Sequence, residues 1–175
     1  MADSADADEI YWVDPRHRGI IPLDGFHVSR SLAKRLRRAD YTIAVNRDFA
    51  GTVTACADRD ETWINARIFD LYAQLHQMGC AHSLEVYSNA NQLIGGVYGV
   101  ELGGAFFGES MFSAARDGSK IALSHLVDRL KARGFQLFDT QFLTDHLASL
   151  GGIEIPRSEY RKRLASALTL TANFG

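Results

Sequence analysis

Apolar residues recur every three or four positions in several stretches of the chain, which is the spacing of one face of an α-helix. The strongest stripe covers residues 60–78 and ends at Gly79, a residue type that commonly stops a helix. A second stripe covers 119–133, and Gly134 ends it. Shorter helices are predicted at 30–38 behind a Ser29 cap, at 49–56, at 146–150 and at 156–168.

Between these stripes the pattern changes to the alternation of β-strands. Strands are predicted at 41–46, 83–87, 92–101, 105–112 and 135–142, and turn signals mark residues 11–25 as an extended lead-in. The three central strands are joined by short turns and form an antiparallel meander. We therefore expect an α/β (α+β) fold, with a mixed, largely antiparallel sheet flanked by helices. A meander followed by a helix and a further strand is similar to the layout of N-acetyltransferase (GNAT-type) domains.

The composition is that of one folded domain. Of the 175 residues, 46% are hydrophobic and 23% are charged, which argues against a disordered protein. No apolar run approaches the ~20 residues of a membrane-spanning helix. The two cysteines and six histidines show no metal-ligand spacing, so we expect no metal, no cofactor and a cytoplasmic setting. The expected domain covers 11–168, with a disordered acidic tail at 1–10 and a C-terminal tail at 169–175.

The net charge of −2 hides a local basic stretch. Its cations lie on the first predicted helix. They could contact RNA phosphates, or they could form a solvated helix face, and the solvated face is the commoner of the two outcomes. They are Arg30, Lys34, Arg35, Arg37 and Arg38. Trp63, at the start of the long predicted helix, could stack on a base or be a half-buried core residue.

A carboxylate stands within an aromatic stretch. Glu109 is flanked in sequence by Phe106, Phe107, Met111 and Phe112. Burial raises a carboxyl pKa unless a cation meets the group, so Glu109 could receive a positively charged part of a ligand. The alternative is a strand-end glutamate whose neighbours alternate into the core, and the spacing alone favours that alternative.

Two polar residues lie on a strand that is otherwise apolar. Asp139 and Gln141 are two positions apart, so their side chains are expected side by side on one face. An aspartate that accepts a proton and a glutamine that positions it suit an amine nucleophile. A structural hydrogen-bonded pair is an equally good interpretation.

Other candidates give weaker signals. Asp145 and His146 could form a general-base pair, but no serine or cysteine stands in a nucleophile elbow. We expect instead that Asp145 caps the next helix and that His146 is a buried hydrogen-bonding residue. Gly95, Gly96 and Gly99 lack the ending of a phosphate loop and indicate a close backbone approach or a bulge beside a ligand.

Taken in order, these motifs resemble the leucyl/phenylalanyl-tRNA–protein transferase family over nearly the whole chain, from about Trp12 to Arg163. Any one block is a weak signal, whereas the blocks together, with their spacings, are very specific. The matching blocks are His27-Val28-Ser29-Arg30-Ser31, Trp63-Ile64, His82-Ser83-Leu84-Glu85-Val86, Gly95-Gly96-Val97-Tyr98-Gly99-Val100, Phe107-Gly108-Glu109-Ser110-Met111-Phe112-Ser113, Asp139-Thr140-Gln141 and Asp145-His146-Leu147-Ala148-Ser149-Leu150-Gly151.

The resemblance implies a reaction. Such enzymes move leucine or phenylalanine, and less readily methionine, from aminoacyl-tRNA to proteins that begin with Arg or Lys, which marks those proteins for N-end rule degradation. It implies that Asp139 and Gln141 remove the amine proton, that Glu109 anchors the acceptor and that Trp63 packs near the terminal adenosine. The implied aminoacyl pocket consists of Val97, Phe106, Met111, Leu123, Leu126 and Phe138. The expected partners are aminoacyl-tRNA and the acceptor protein, with no membrane, and the chain is expected to be a monomer.

The sequence also departs from the family pattern. Relatives usually carry a further N-terminal lobe, whereas only an acidic stretch precedes Tyr11 here, and a methionine often stands where this chain has Val97. Two alternatives stay open. One is an acyl-CoA-dependent N-acetyltransferase, although its pyrophosphate-binding run is missing. The other is a non-catalytic tRNA-binding protein.

Overall fold

A computed structural model describes residues 9–59 and 62–175 of the chain. The predicted acidic tail lies mostly outside the described residues, as does the predicted helix start at Asp60. Within these two ranges, seven strands form a single sheet in the order β2-β3-β4-β5-β6-β1-β7. The strands are β1 His17–Ile20, β2 Tyr41–Val45, β3 Ala81–Ser88, β4 Leu93–Leu102, β5 Ala105–Ser113, β6 Leu137–Gln141 and β7 Ile153–Pro156.

Six α-helices of the described residues surround this sheet. They are α1 Arg30–Arg38, α2 Phe49–Ala57, α3 Ala66–Gln77, α4 Gly118–Ala132, α5 Asp145–Ser149 and α6 Arg157–Ala167. Several begin at a side chain that accepts a hydrogen bond from a free backbone N–H of the first turn. Ser29 caps α1 as predicted, Asp48 caps α2 and Asn65 caps α3. None of the described helices is long and apolar enough to cross a membrane.

Alternate residues of the strands pack into separate cores on the two faces of the sheet. Val97 on β4 belongs to the cluster beneath α4, whereas its neighbour Tyr98 packs with residues of α2 and α3. The third cluster lies under α6, at the end of the sheet formed by β6, β1 and β7. The predicted mixed α/β fold with a largely antiparallel sheet is therefore confirmed.

One pair of neighbouring strands departs from the antiparallel pattern. β5 and β6 run parallel and pair only over Ala105–Phe107 and Leu137–Asp139. Beyond Phe107, β5 continues to Ser113, while β6 reaches only Gln141. The two strands therefore separate in the middle of the sheet, and the gap opens beside Gly108 and Glu109.

The sequence prediction missed two strands. The lead-in at 11–25 contains β1, and the stretch before the last helix contains β7. Each strand has four residues and mixed exposure, so neither shows a clear alternation. Their pairing depends on contacts far apart in sequence, since β1 lies between β6 and β7. The long helix also begins later than predicted, at Ala66, so Trp63 precedes it.

The last residues of the chain, expected as a tail, pack against the sheet. Phe174 is fully buried. Its ring stacks on His82 at 4.7 Å and on Phe106 at 5.1 Å between ring centroids. The Phe174 N–H donates to Glu101 Oε2 at 2.7 Å, and Arg129 Nε donates to the Phe174 carbonyl at 2.8 Å.

Replacing Phe174 with Ala is expected to lower the free energy of unfolding by about 3–5 kcal/mol, because it leaves a cavity in the main core. Urea denaturation followed by circular dichroism measures this. Leu168→Ala is the matched control, since that side chain is 43% exposed and its loss is expected to change stability little. Equal stability of the two variants would contradict the packing described.

Candidate active site

The gap between β5 and β6 opens into a cavity of about 280 Å³. It is lined by apolar side chains on one side and by a few polar residues on the other. The lining comprises Arg59, Trp63, Val97, Gly108, Glu109, Ser110, Met111, Leu123, Phe138, Thr140, Gln141, Phe142, Thr144 and Leu147. An enclosed apolar space with a small number of polar groups is the usual form of a ligand site.

Four of the six residues predicted to form the aminoacyl pocket line this cavity directly. They are Val97, Met111, Leu123 and Phe138. Phe106 and Leu126 are absent from the lining and are fully buried. The Phe106 ring meets Phe138 edge to face, at 6.0 Å between ring centroids, so Phe106 supports the wall from behind.

Glu109 lies at the junction of two cavities. It lines the space between β5 and β6, and it also lines a larger apolar cavity of about 650 Å³ beside α3. The Tyr72 hydroxyl donates a hydrogen bond to its carboxylate, yet burial still raises the pKa of Glu109, and the nearby charge of Asp139 adds to this. A carboxylate held in this way is stabilised by an incoming cation.

Asp139 has very different surroundings. Its carboxylate is 1% exposed and accepts hydrogen bonds from the Arg18 guanidinium, at 2.8 Å to the nearest oxygen. The Tyr160 hydroxyl and the Gln141 N–H also donate to it, the latter at 2.7 Å. Arg18 in turn lies over the Tyr160 ring, at 5.0 Å from its centroid. All of the partners of Asp139 are therefore donors, and they join β6 to β1 and α6.

The expected side-by-side arrangement of Asp139 and Gln141 does not form. Gln141 has φ +66°, which turns the backbone out of the strand. As a result Gln141 lines the cavity, whereas Asp139 is not part of the lining and faces Arg18 and Tyr160. Sequence reasoning missed Arg18 and Tyr160 as partners of Asp139, because the four-residue strand β1 and the polar helix α6 gave no sign of a buried ion pair.

Trp63 stands at the mouth of the cavity, where it also borders the larger apolar space. It meets Tyr72 edge to face, at 6.5 Å between ring centroids. Trp63 is half-buried, so part of its indole surface stays open to a ligand. The structure thus brings together Trp63, Glu109, Gln141 and most of the predicted pocket.

The other candidates lie elsewhere or have different roles. Thr144, not Asp145, caps α5 by accepting from Leu147 N–H, because the helix begins at Asp145 itself. His146 is half-buried, and its Nε2 lies 3.5 Å from Ser119 Oγ. The close backbone approach expected at the glycines occurs at Gly95, where a Cβ would lie 2.4 Å from the backbone of Gly118.

The basic residues of α1 point mostly to solvent and do not line the cavity. Arg35 and Arg38 form ion pairs with Asp40. The remaining three, Arg30, Lys34 and Arg37, are exposed. They provide a cationic patch on the outer surface of the fold.

The fold and the cavity define a class of protein. It is a single-sheet α/β protein in which the parallel strands β5 and β6 separate and leave an apolar cavity between them. The carboxylate of Glu109 and the amide of Gln141 line this cavity. Within that class, the family model described as leucyl/phenylalanyl-tRNA protein transferase matches residues 20–165. The chain belongs to that family.

Curated relatives agree with this assignment. The chain is 67% identical over 174 residues to the leucyl/phenylalanyl-tRNA–protein transferase of Cereibacter sphaeroides strain ATCC 17025, covering 99% of this chain and 81% of the relative. It is also 67% identical to the transferase of the same name from Ruegeria sp. strain TM1040, covering 99% of this chain and 82% of the relative.

Solved structures share the fold at low sequence identity. The structure of L-PGS from Bacillus licheniformis matches with a TM-score of 0.52 and 17% identity, over 74% of this chain and 48% of that one. A functionally unknown conserved protein from Staphylococcus epidermidis ATCC 12228 matches with a TM-score of 0.51 and 11% identity, over 80% of this chain and 57% of that one. These likenesses concern the fold alone.

Replacing Asp139 with Ala is expected to lower the free energy of unfolding by about 3–5 kcal/mol, since it leaves the Arg18 charge buried without a partner. The pair Arg18→Met with Asp139→Leu is expected to cost less than the sum of the two single changes. Chemical denaturation of Asp139→Ala measures the loss, and denaturation of the two single variants Arg18→Met and Asp139→Leu and of their double variant measures the coupling; additive losses would contradict it.

Proposed function

We propose that the chain transfers leucine or phenylalanine, and less readily methionine, from aminoacyl-tRNA to the N-terminal α-amino group of proteins that begin with Arg or Lys. The new N-terminus marks the acceptor for N-end rule degradation. The observation that carries this proposal is Glu109, a partly buried carboxylate with a raised pKa that adjoins an apolar cavity. Family membership supplies the reaction class.

The apolar part of the cavity fits the side chain that is transferred. Val97, Met111, Leu123 and Phe138 offer dispersion contacts and no hydrogen-bond donors, so Leu, Phe and Met all suit it. In such a pocket one methylene changes binding by only ~1–3 kcal/mol. Weak discrimination among these three amino acids follows from the lining.

Glu109 suits the other substrate. Glu109 is hydrogen-bonded by Tyr72 and lies in the electrostatic field of Arg18, but its ion pair with an acceptor cation would be direct. A side chain of Arg or Lys at the acceptor N-terminus brings that cation, and a charge-assisted hydrogen bond is about twice as strong as a neutral one. An uncharged N-terminal side chain would leave this partly buried carboxylate without a direct ion-pair partner. The preference for basic N-termini follows from that difference.

The chemical step needs mainly positioning, because an aminoacyl ester is already activated. The amide C–N bond forms as the ester C–O bond breaks, the amine gives up one proton and the departing ribose oxygen takes one up. We place Gln141 beside the attacking amine, where its side-chain oxygen accepts the N–H. Asp139 acts with it by holding the Gln141 backbone, because its carboxylate accepts a hydrogen bond from the Gln141 N–H.

The remaining surfaces complete the proposal. Trp63 offers a stacking face for the terminal adenine, which is worth ~1–3 kcal/mol per base. Arg30, Lys34, Arg35, Arg37 and Arg38 of α1 provide phosphate contacts for the tRNA body. We infer one N-acetyltransferase-like domain that includes Phe174 and acts as a monomer. We place it in the cytoplasm, because free thiols such as those of Cys56 and Cys80 persist in a reducing compartment.

The transfer of labelled leucine from Leu-tRNA tests the proposal, with one peptide that begins with Arg and one that begins with Ala. Label is expected on the Arg peptide alone. Glu109→Gln is expected to raise KM for that peptide about 10–100-fold, because a hydrogen bond to a charged group contributes about 1.5–3 kcal/mol. Glu154→Gln, at an exposed position on β7, is the control. Equal labelling of both peptides, or none, would overturn the assignment.

The pH dependence provides a second test. Burial raises the pKa of Glu109 above its ordinary value, so as the pH falls its charge is lost at a higher pH than that of an exposed glutamate. The kcat/KM for the Arg peptide is therefore expected to fall on the acid side at a higher pH than an exposed glutamate would give. Glu109→Gln removes this limb if the interpretation is right. An unchanged acid limb in that variant would assign the titration to another group.

A further inference from the structure

Arg59 is a cation at the mouth of the cavity to which the proposed reaction gives no role. It follows α2 by two residues and lines the same space as Trp63 and Glu109. The residue is exposed, so solvent and ligands reach it. Most of the other cavity residues are apolar or uncharged, which makes this guanidinium the positive counterpart of Glu109 in the lining.

Neutral oxygen atoms hold the Arg59 side chain in place. Its Nε donates to the Cys56 carbonyl at 2.7 Å, and its Nη2 donates to Ser110 Oγ and to the Met111 carbonyl, each at 2.8 Å. These bonds connect the end of α2 to β5, directly beside Glu109. The guanidinium is thereby fixed in orientation before any ligand arrives, which lowers the entropic cost of binding.

The charge of Arg59 is not neutralised within the described part of the chain. No carboxylate there lies within 4.0 Å of it, in contrast to Arg18 with Asp139 and Arg161 with Asp14. Its Nη1 has no acceptor among the described residues. A fixed guanidinium with free N–H groups at a cavity mouth is suited to an oxyanion such as a phosphodiester.

We propose that Arg59 binds the 5′-phosphodiester of the terminal nucleotide of the donor tRNA. This inference rests on the proposed function, which brings an aminoacyl ester into the cavity. The anion next to that ester along the nucleic acid is the 5′-phosphate of the same nucleotide. Trp63, four residues after Arg59, lines the same cavity and offers a face for the base. Arg59 thus contacts the phosphate and Trp63 the base, while Glu109 repels anions from the acceptor side.

Equilibrium binding tests the inference without requiring transfer. The probes are two stable 3′-leucylamide analogues of adenosine, one with a free 5′-hydroxyl and one with a 5′-methyl phosphate diester. The diester is expected to bind wild-type protein at least tenfold more tightly. Arg59→Gln is expected to bring the ratio of the two Kd values to about one while leaving the Kd of the analogue with the free 5′-hydroxyl unchanged. Arg59→Lys, which keeps the charge but not the planar fork, is expected to keep part of the ratio.

Arg116→Gln is the matched control, because that side chain is 89% exposed and lies outside the cavity lining. Its Kd ratio is expected to equal that of the wild type. The inference is overturned if the phosphate gives no gain in wild-type protein, if neither analogue binds, or if Arg59→Gln keeps the full ratio. Failure of the proposed function is a separate result, namely no leucyl transfer from Leu-tRNA to the Arg peptide.

Discussion

The site depends on one buried carboxylate and the donors that saturate it. Asp139 joins three elements, because Arg18 of β1, Tyr160 of α6 and the backbone N–H of Gln141 all donate to it. A buried charge is tolerated only when it is paired and hydrogen-bonded. Once these partners are in place, β6 is fixed against β1 and its last residue is turned by the left-handed backbone of Gln141. The pairing of β6 with β5 has already ended at Asp139, and Gln141 lines the cavity that opens beyond it.

The two carboxylates near the cavity, Asp139 and Glu109, lie in different environments. Asp139 is saturated by donors and faces away from the lining, whereas Glu109 has a Tyr72 hydroxyl and a raised pKa. Groups whose environments differ in this way take different roles even when their chemistry is the same. This difference supports the proposal that Asp139 positions Gln141 and that Glu109 meets the acceptor. The short parallel pairing of β5 with β6 makes this separation possible, since it ends just before Glu109.

Local patterns predicted the larger elements well, and long-range pairs escaped them. The stripe in α4, the meander and the Ser29 cap depend on neighbours in sequence, so they could be predicted. The strands β1 and β7 have four residues each. Both owe their conformation to pairing partners more than a hundred residues away in the sequence. Glu109 and Gln141 were identified, but Arg18 was not, because nothing near it in sequence indicates the Asp139 carboxylate. The side-by-side expectation at Asp139 and Gln141 failed because a strand pattern does not reveal a positive φ.

The opposite charges of Arg59 and Glu109 in the cavity lining give a physical basis for directing the donor and the acceptor to different ends of the site. The proposed donor is a polyanion and the proposed acceptor begins with a cation, and the lining offers Arg59 and Glu109. These two groups do not neutralise each other, since Arg59 is held by the neutral oxygens of Ser110, Met111 and Cys56. Each substrate is therefore attracted to one end of the site and repelled from the other. With an activated ester as donor, correct placement of the two reacting ends supplies much of what the reaction needs, and this charge arrangement provides it before any proton moves.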